Sequence, residues 1–204
     1  MNLIDLLQGQ LSGGLVDQLS QQIGGADREQ TATAAQGIIT TLVSQLARNA
    51  STPEGAQSLN NALERDHDGS LLDNLSDVLT GNVQPQNQST VNGLGILKHV
   101  LGDRQGGVAN MVSQMSGLES GKTMQLMGLL APVVMGMLGK AKNQNGLDIG
   151  GIANLLNGTV SQQQQTGNPT VNMISRFLDA DGDGSALDDI ANMGMKILGG
   201  LFKK

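Results

Sequence analysis

An all-α fold, arranged as two tandem related multi-helix units packed into a bundle or superhelix, is the class this sequence predicts. Three observations lead there. The 204 residues include two Phe, no Tyr and no Trp, so Leu, Ile, Val, Ala and ten Met must fill the interior. That mixture packs helices well and specifies strands poorly. No segment keeps the sustained apolar–polar alternation of a half-buried strand. Finally, the acidic turn Glu64-Arg-Asp66-His-Asp68-Gly69-Ser70 is written a second time as Asp179-Ala-Asp181-Gly-Asp183-Gly184-Ser185.

The elements follow in order. Leu19 and Ile23 lie on one apolar face, and Ala34, Ile38, Leu42 and Leu46 continue it in the next helix at helical spacing. Asp27-Arg-Glu29 opens that second helix with acids near its positive end. Thr52-Pro53-Glu54 supplies a cap, a proline at the first helical position and an acid in the first turn. After the acidic turn, Ser70 and Asp73 have the spacing of a capping box, with Asp in the Glu place. The polar stretch Gly81 to Ser89 reads as a linker. Leu118-Glu119-Ser120 then opens a second central helix. Ile149, Ile152, Leu155 and Leu156 predict a short additional helix near residues 147–157, and Gln162 to Gln165 reads as a solvated connector. Asn168-Pro169 repeats the proline start. Asp189 to Phe202 gathers Ile190, Met193, Ile197, Leu198 and Leu201 on one face.

Sliding the chain on itself by 92 residues places Leu19 on Met111, Thr31 on Thr123, Ile38 on Leu130, Leu42 on Val134 and Leu46 on Leu138. Apolar positions meet apolar positions at helical spacing, as a duplicated buried face requires. The acidic turns match at 115 residues instead, Asp66 with Asp181 and Gly69 with Gly184. The second half therefore carries an insertion around Asn143 to Thr166. The units are residues 1–80 and 93–204, joined by a linker at 81–92.

Between Lys122 and Lys140 lie seventeen uncharged residues, at the short end of what spans a bilayer. Gly128, Pro132 and Gly136 give this helix a small-residue face, which suits a packed membrane helix or the middle of a bundle. Its counterpart in the first half carries Thr31, Thr33, Thr40, Thr41, Ser44 and Gln45. The twin is too polar to span, so the pair reads as buried bundle helices and the chain as soluble.

A net charge of −6, twelve scattered Lys and Arg and almost no aromatics argue against nucleic-acid binding. No cysteine is present, so no disulfide framework, zinc–thiolate site or thiol nucleophile exists. The start, Met1-Asn-Leu-Ile-Asp5, lacks a basic stretch followed by a long apolar run, and the expected place is the cytoplasm. Alternate carboxylates followed by glycine at the sixth position resemble the first half of a calcium loop. Candidate ligands for Ca2+ or Mg2+ are Asp179, Asp181, Asp183 and Asp188 in the second turn, and Glu64, Asp66, Asp68 and Asp73 in the first. The closing twelfth position holds Ile190 or Leu75 rather than Glu, so these turns serve equally as structural corners. His67 is expected on the surface within its turn, and His99 on a helix surface. Neither imidazole has a triad or a metal-binding partner at a suitable spacing, and no enzyme is expected.

The string Asn49-Ala-Ser-Thr-Pro53-Glu54-Gly55-Ala-Gln-Ser-Leu, followed by Asp66-His67-Asp68-Gly69-Ser70, resembles a bacterial family known only as domain of unknown function 937. Gly95-Ile-Leu-Lys98-His99-Val-Leu-Gly102 and Ser116-Gly-Leu extend the resemblance over nearly the whole chain. The family looks related to the YidB-like proteins, which implies small helical domains wound as a right-handed superhelix; the resemblance implies no activity, substrate or catalytic residue. The expected role is that of a non-enzymatic helical protein acting on an unknown protein partner, with a homo-oligomer left open. Two alternatives stand beside it: a calcium-responsive binding module and a peripheral membrane protein.

Overall fold

The computed structural model describes residues 14–76 and 88–165, together with Ile174. Among the described residues every regular element is helical. The α-helices are α1 (Gly14–Gln22), α2 (Arg28–Asn49), α3 (Pro53–Arg65), α4 (Gly93–Leu101), α5 (Gln105–Ser116), α6 (Ser120–Asn145) and α7 (Ile149–Gln165). Short 3-10 turns occupy Ser70–Asn74, Gln88–Val91 and Gly102–Arg104.

The starts of these helices follow the chemistry of their first residues. Asp27 caps α2, accepting from the Gln30 amide at 2.9 Å. Thr52 caps α3, accepting from the Gly55 amide at 3.1 Å, with Pro53 behind it. Asn92 caps α4, accepting from the Gly95 amide at 3.0 Å. Each satisfies a backbone N–H that the first helical turn leaves without a partner. Thr31 donates to the Asp27 carbonyl at 2.7 Å and Thr123 to the Glu119 carbonyl at 3.0 Å, so α2 and α6 begin with the same local bond.

The two long helices α2 and α6 form the centre. α6 packs against α2, α4 and α5, while α2 also packs against α5 and α7. Ile38 and Leu42 from α2 meet Leu126, Met127, Leu130 and Leu138 from α6 in one core cluster. Met111, Met127, Met135 and Met137 are all buried, the filler role expected of methionine in a core without large aromatics. By length and composition α6 is the one helix among the described residues able to cross a membrane, with a mean hydropathy of 1.4 over its most apolar window. Of that window, 72% is buried inside the protein.

The small-residue face of α6 receives two other pieces of chain. Pro132 has no N–H, so the Gly128 carbonyl lacks its usual partner one turn on. The first residue of α4, Gly93, lies against that carbonyl: a β-carbon there would fall 1.8 Å from the Gly128 oxygen. Further along, a β-carbon on Gly139 would fall 1.7 Å from the His67 carbonyl oxygen. Gly69, at φ +100°, sits on Lys140 in the same contact. Glycines on both sides of the α6 surface thus permit backbone-to-backbone approach.

Two expectations change here. The helix expected near residues 147–157 continues to Gln165, and the glutamine run belongs to it. Gln propagates helices well, and Ile152, Leu156, Thr159 and Gln163 form a buried stripe at spacings of three and four. Gln163 donates to Thr40 of α2 at 3.2 Å inside the protein. The capping box expected at Ser70 and Asp73 does not form either. Gly69 holds the cap position without a side-chain bond, Asp68 accepts from the Ser70 amide at 2.9 Å, and Asp73 turns to Lys140. The Asn168-Pro169 start and the terminal segment from Asp189 to Phe202 lie outside the described residues.

Candidate functional site

The first acidic turn is a corner strapped to the end of α6. Glu64 accepts from Lys142 at 2.9 Å, and Asp73 pairs with Lys140 at 3.3 Å. Asn143 donates to the Asp68 carbonyl at 2.9 Å. Asp66 binds the neighbouring Arg65 through two bonds, at 2.9 and 2.7 Å. The Lys142 bond, then Asn60, holds the Glu64 carboxyl below its ordinary range; the Ser70 amide does the same for Asp68. Arg65 is raised by Asp66. Water screens ion pairs at the surface, so these orient the corner more than they stabilise it.

These four acids turn to separate partners. Among the described residues no group of three or more His, Asp or Glu side chains gathers where it could hold a metal ion. Asp179, Asp181, Asp183 and Asp188 lie outside the described residues.

His67 is not the surface residue expected from its acidic neighbours. It is 5% exposed, because the chain bends under it to reach α6 and its own carbonyl rests on Gly139. Its amide donates to the Ala62 carbonyl at 3.1 Å, which closes α3. The ring Nδ1 is buried with no hydrogen-bond partner. Burial pushes the His67 pKa down, against the opposing pull of Asp66, so the ring is neutral at pH 7. His99 is exposed on α4, as its position predicts.

Beside this corner runs a groove of about 890 Å3. Its walls are α3 and α4, which both pack on α6 and hardly touch each other. Asn49 donates to the Val100 carbonyl at 3.1 Å and so ties the end of α2 to the last turn of α4. The start of α3 therefore lies beside the end of α4. α3 presents Gly55, Ser58, Leu59 and Ala62; α4 presents Gly95, Ile96, His99 and Val100. Leu46 and Met135 form part of the floor. Arg48 stands at one end, and Arg65, Asp66 and His67 at the other.

The sequence reading missed this groove. Its signal was present in the spacing: small or polar residues recur every three or four positions along α3 and α4, on a face where a fully packed helix would carry Leu or Ile. Periodicity marks such a face as unlike the core but does not show that two of them lie opposite one another.

Residues 5–141 match the family model described as bacterial protein of unknown function (DUF937). No curated protein and no solved structure matches the chain.

Proposed function

Since the chain belongs to this family of bacterial proteins of unknown function, we propose its role from its own geometry: a non-enzymatic helical protein that receives a segment of a partner protein between α3 and α4. The observation that carries this reading is the groove. Its walls are two helices that share α6 as support, with a partly apolar floor, a shape that accepts a third helix. Three of the polar side chains along it hold backbone: Thr52 and Asn92 cap the walls, and Asn49 ties α2 to α4. Such groups build a surface, whereas reaction chemistry calls for a nucleophile beside a base.

The protein is read as soluble and cytoplasmic, supported by the burial of most of the apolar window in α6. It is also read as two related units, residues 1–80 and 93–204. The support is that α2 and α6 begin 92 residues apart, at Arg28 and Ser120, with the same threonine bond in the first turn. A calcium-responsive role rests on the second acidic turn alone, Asp179 to Asp188, since each acid of the first already has a protein partner.

A photo-crosslinking residue at Ser58, in cells of a native bacterial host, tests the docking role. A discrete adduct to another protein, lost when Asn61→Trp fills the groove and absent from a control site at Gln144, is the expected result. Equal adducts at both sites, or none at Ser58, refute it.

A further inference from the structure

We propose that the second acidic turn, Asp179 to Asp188, docks on the end of α2 as the first docks on the end of α6, with Asp188 paired to Arg48. This goes beyond the docking role above and rests on the reading of two related units. The first corner supplies the pattern. Gly69 sits on Lys140, the His67 carbonyl on Gly139, and Asp73 pairs with Lys140 at 3.3 Å. At the offset of 92 residues that relates α6 to α2, the place of Lys140 is taken by Arg48. At the offset of 115 that relates the two turns, the place of Asp73 is taken by Asp188. Both charges of the pair are therefore kept, each with its sign.

Ile174 is the one residue beyond Gln165 that is described, and it supports the match independently. Its counterpart Leu59 lies in the core cluster, and Ile174 is fully buried in the same cluster. Fourteen positions separate Leu59 from Asp73, and fourteen separate Ile174 from Asp188. The chain leaving the core at Ile174 thus has the reach that the first half uses to bring its turn to a helix end.

Electrostatics select which end. Asp179, Asp181, Asp183, Asp188 and Asp189 carry five negative charges with no base among them. The carboxyl end of a helix repels such a segment unless a cation stands there. α1, α5 and α7 have no base in their last turns. Arg65, Lys140 and Lys142 already hold Asp66, Asp73 and Glu64. Of the remaining bases in last turns, Arg48 of α2 stands where the repeat requires one. The two docks differ in one respect. α2 has Ala47 where α6 has Gly139, and its methyl bars the backbone contact that the His67 carbonyl makes. The fork of an arginine, which can hold a carboxylate by two bonds, suits a pair that has lost that support. Asp188 is then a strap, as Asp73 is, and not a cation ligand.

Dipolar EPR on the full chain is the test, since the protein has no cysteine and labelling sites can be placed at will. Spin labels at Ser70→Cys and Gln144→Cys, both exposed positions, report the first corner on α6. Labels at Ser51→Cys and Ser185→Cys report the second turn on α2, and a single narrow distance comparable to that of the first pair is expected. Arg48→Met or Asp188→Asn should broaden and lengthen it without moving the first pair. Exchanging the charges, with Arg48→Asp and Asp188→Arg together, should restore it. A broad or long distance for Ser51 and Ser185 before either charge is removed overturns the docking of the turn. A narrow distance indifferent to both single substitutions overturns the Arg48–Asp188 pair. Neither result bears on the groove, whose docking role stands or falls at Ser58.

Discussion

The carbonyl oxygen of His67 occupies the place a β-carbon on Gly139 would take, 1.7 Å from it. The obstacle is backbone, so no rotamer change can make room. Gly139→Ala must either lift the acidic corner off α6 or bend the central helix. A cost of about 2–3 kcal/mol is expected, at the upper end of overpacking, and a fall in Tm of roughly 4–12 °C for a chain of this size. Gly121→Ala is the control, because its helical site has no close neighbour; there alanine should be neutral or slightly stabilising. Thermal denaturation of both variants decides, and equal Tm values would remove the corner contact from the account.

Gly93 depends on α6 in a second way. Pro132 frees the Gly128 carbonyl, and Gly93 lies on that oxygen. Gly93→Ala should lose about 1–3 kcal/mol through the clash. The damage should be local: hydrogen exchange of α4 amides should accelerate, while α2 and α5 keep their protection. Uniform acceleration across all three helices would mean that α4 is not docked through this contact.

Inside the bundle, Gln163 donates to Thr40 at 3.2 Å, linking α7 to α2. Thr40→Val keeps the shape and removes the acceptor. A loss of about 1–2 kcal/mol is expected, since a buried polar group is then deprived of this bond. Replacing both partners, with Thr40→Val and Gln163→Leu, should recover much of it, giving a coupling of about 0.5–1.5 kcal/mol. Strict additivity in urea denaturation would rule the bond out as a link between the helices.

This pair marks where sequence reasoning reached its limit. The central helices were legible because Ile38, Leu42, Leu126, Leu130 and Leu138 repeat at helical spacing, and their starts because Asp27 and Thr52 can do little else beside a helix. Gln162 to Gln165 was misread as connector, since a run of identical polar residues hides that Gln163 faces inward. Only the position of Thr40, 123 residues away in sequence, distinguishes Gln163 from its neighbours. His67 failed for the same reason. Its flanking carboxylates predict exposure, but Gly139 on a distant helix admits the backbone and carries the ring down with it. Local chemistry was readable; the distant backbone that overrides it was not.

His67 also sets a pH dependence. Its pKa is lowered by burial, so between the folded value and the unfolded value of about 6.5 the unfolded chain binds more protons. Stability should therefore be level above pH ~6.5 with respect to this group and fall as pH drops below it. Glu64 and Asp68 are lowered too, by Lys142 and the Ser70 amide. Their contributions are present above the unfolded carboxylate range near pH ~4 and fade below it, a separate and more acidic window. Urea denaturation at intervals from pH 7.5 down to about 2.5 should thus show a first decline that His67→Asn abolishes and a second, below pH ~4, that it leaves in place. A variant that keeps the first decline would show that another group titrates there, and that the buried ring is not what acid attacks first.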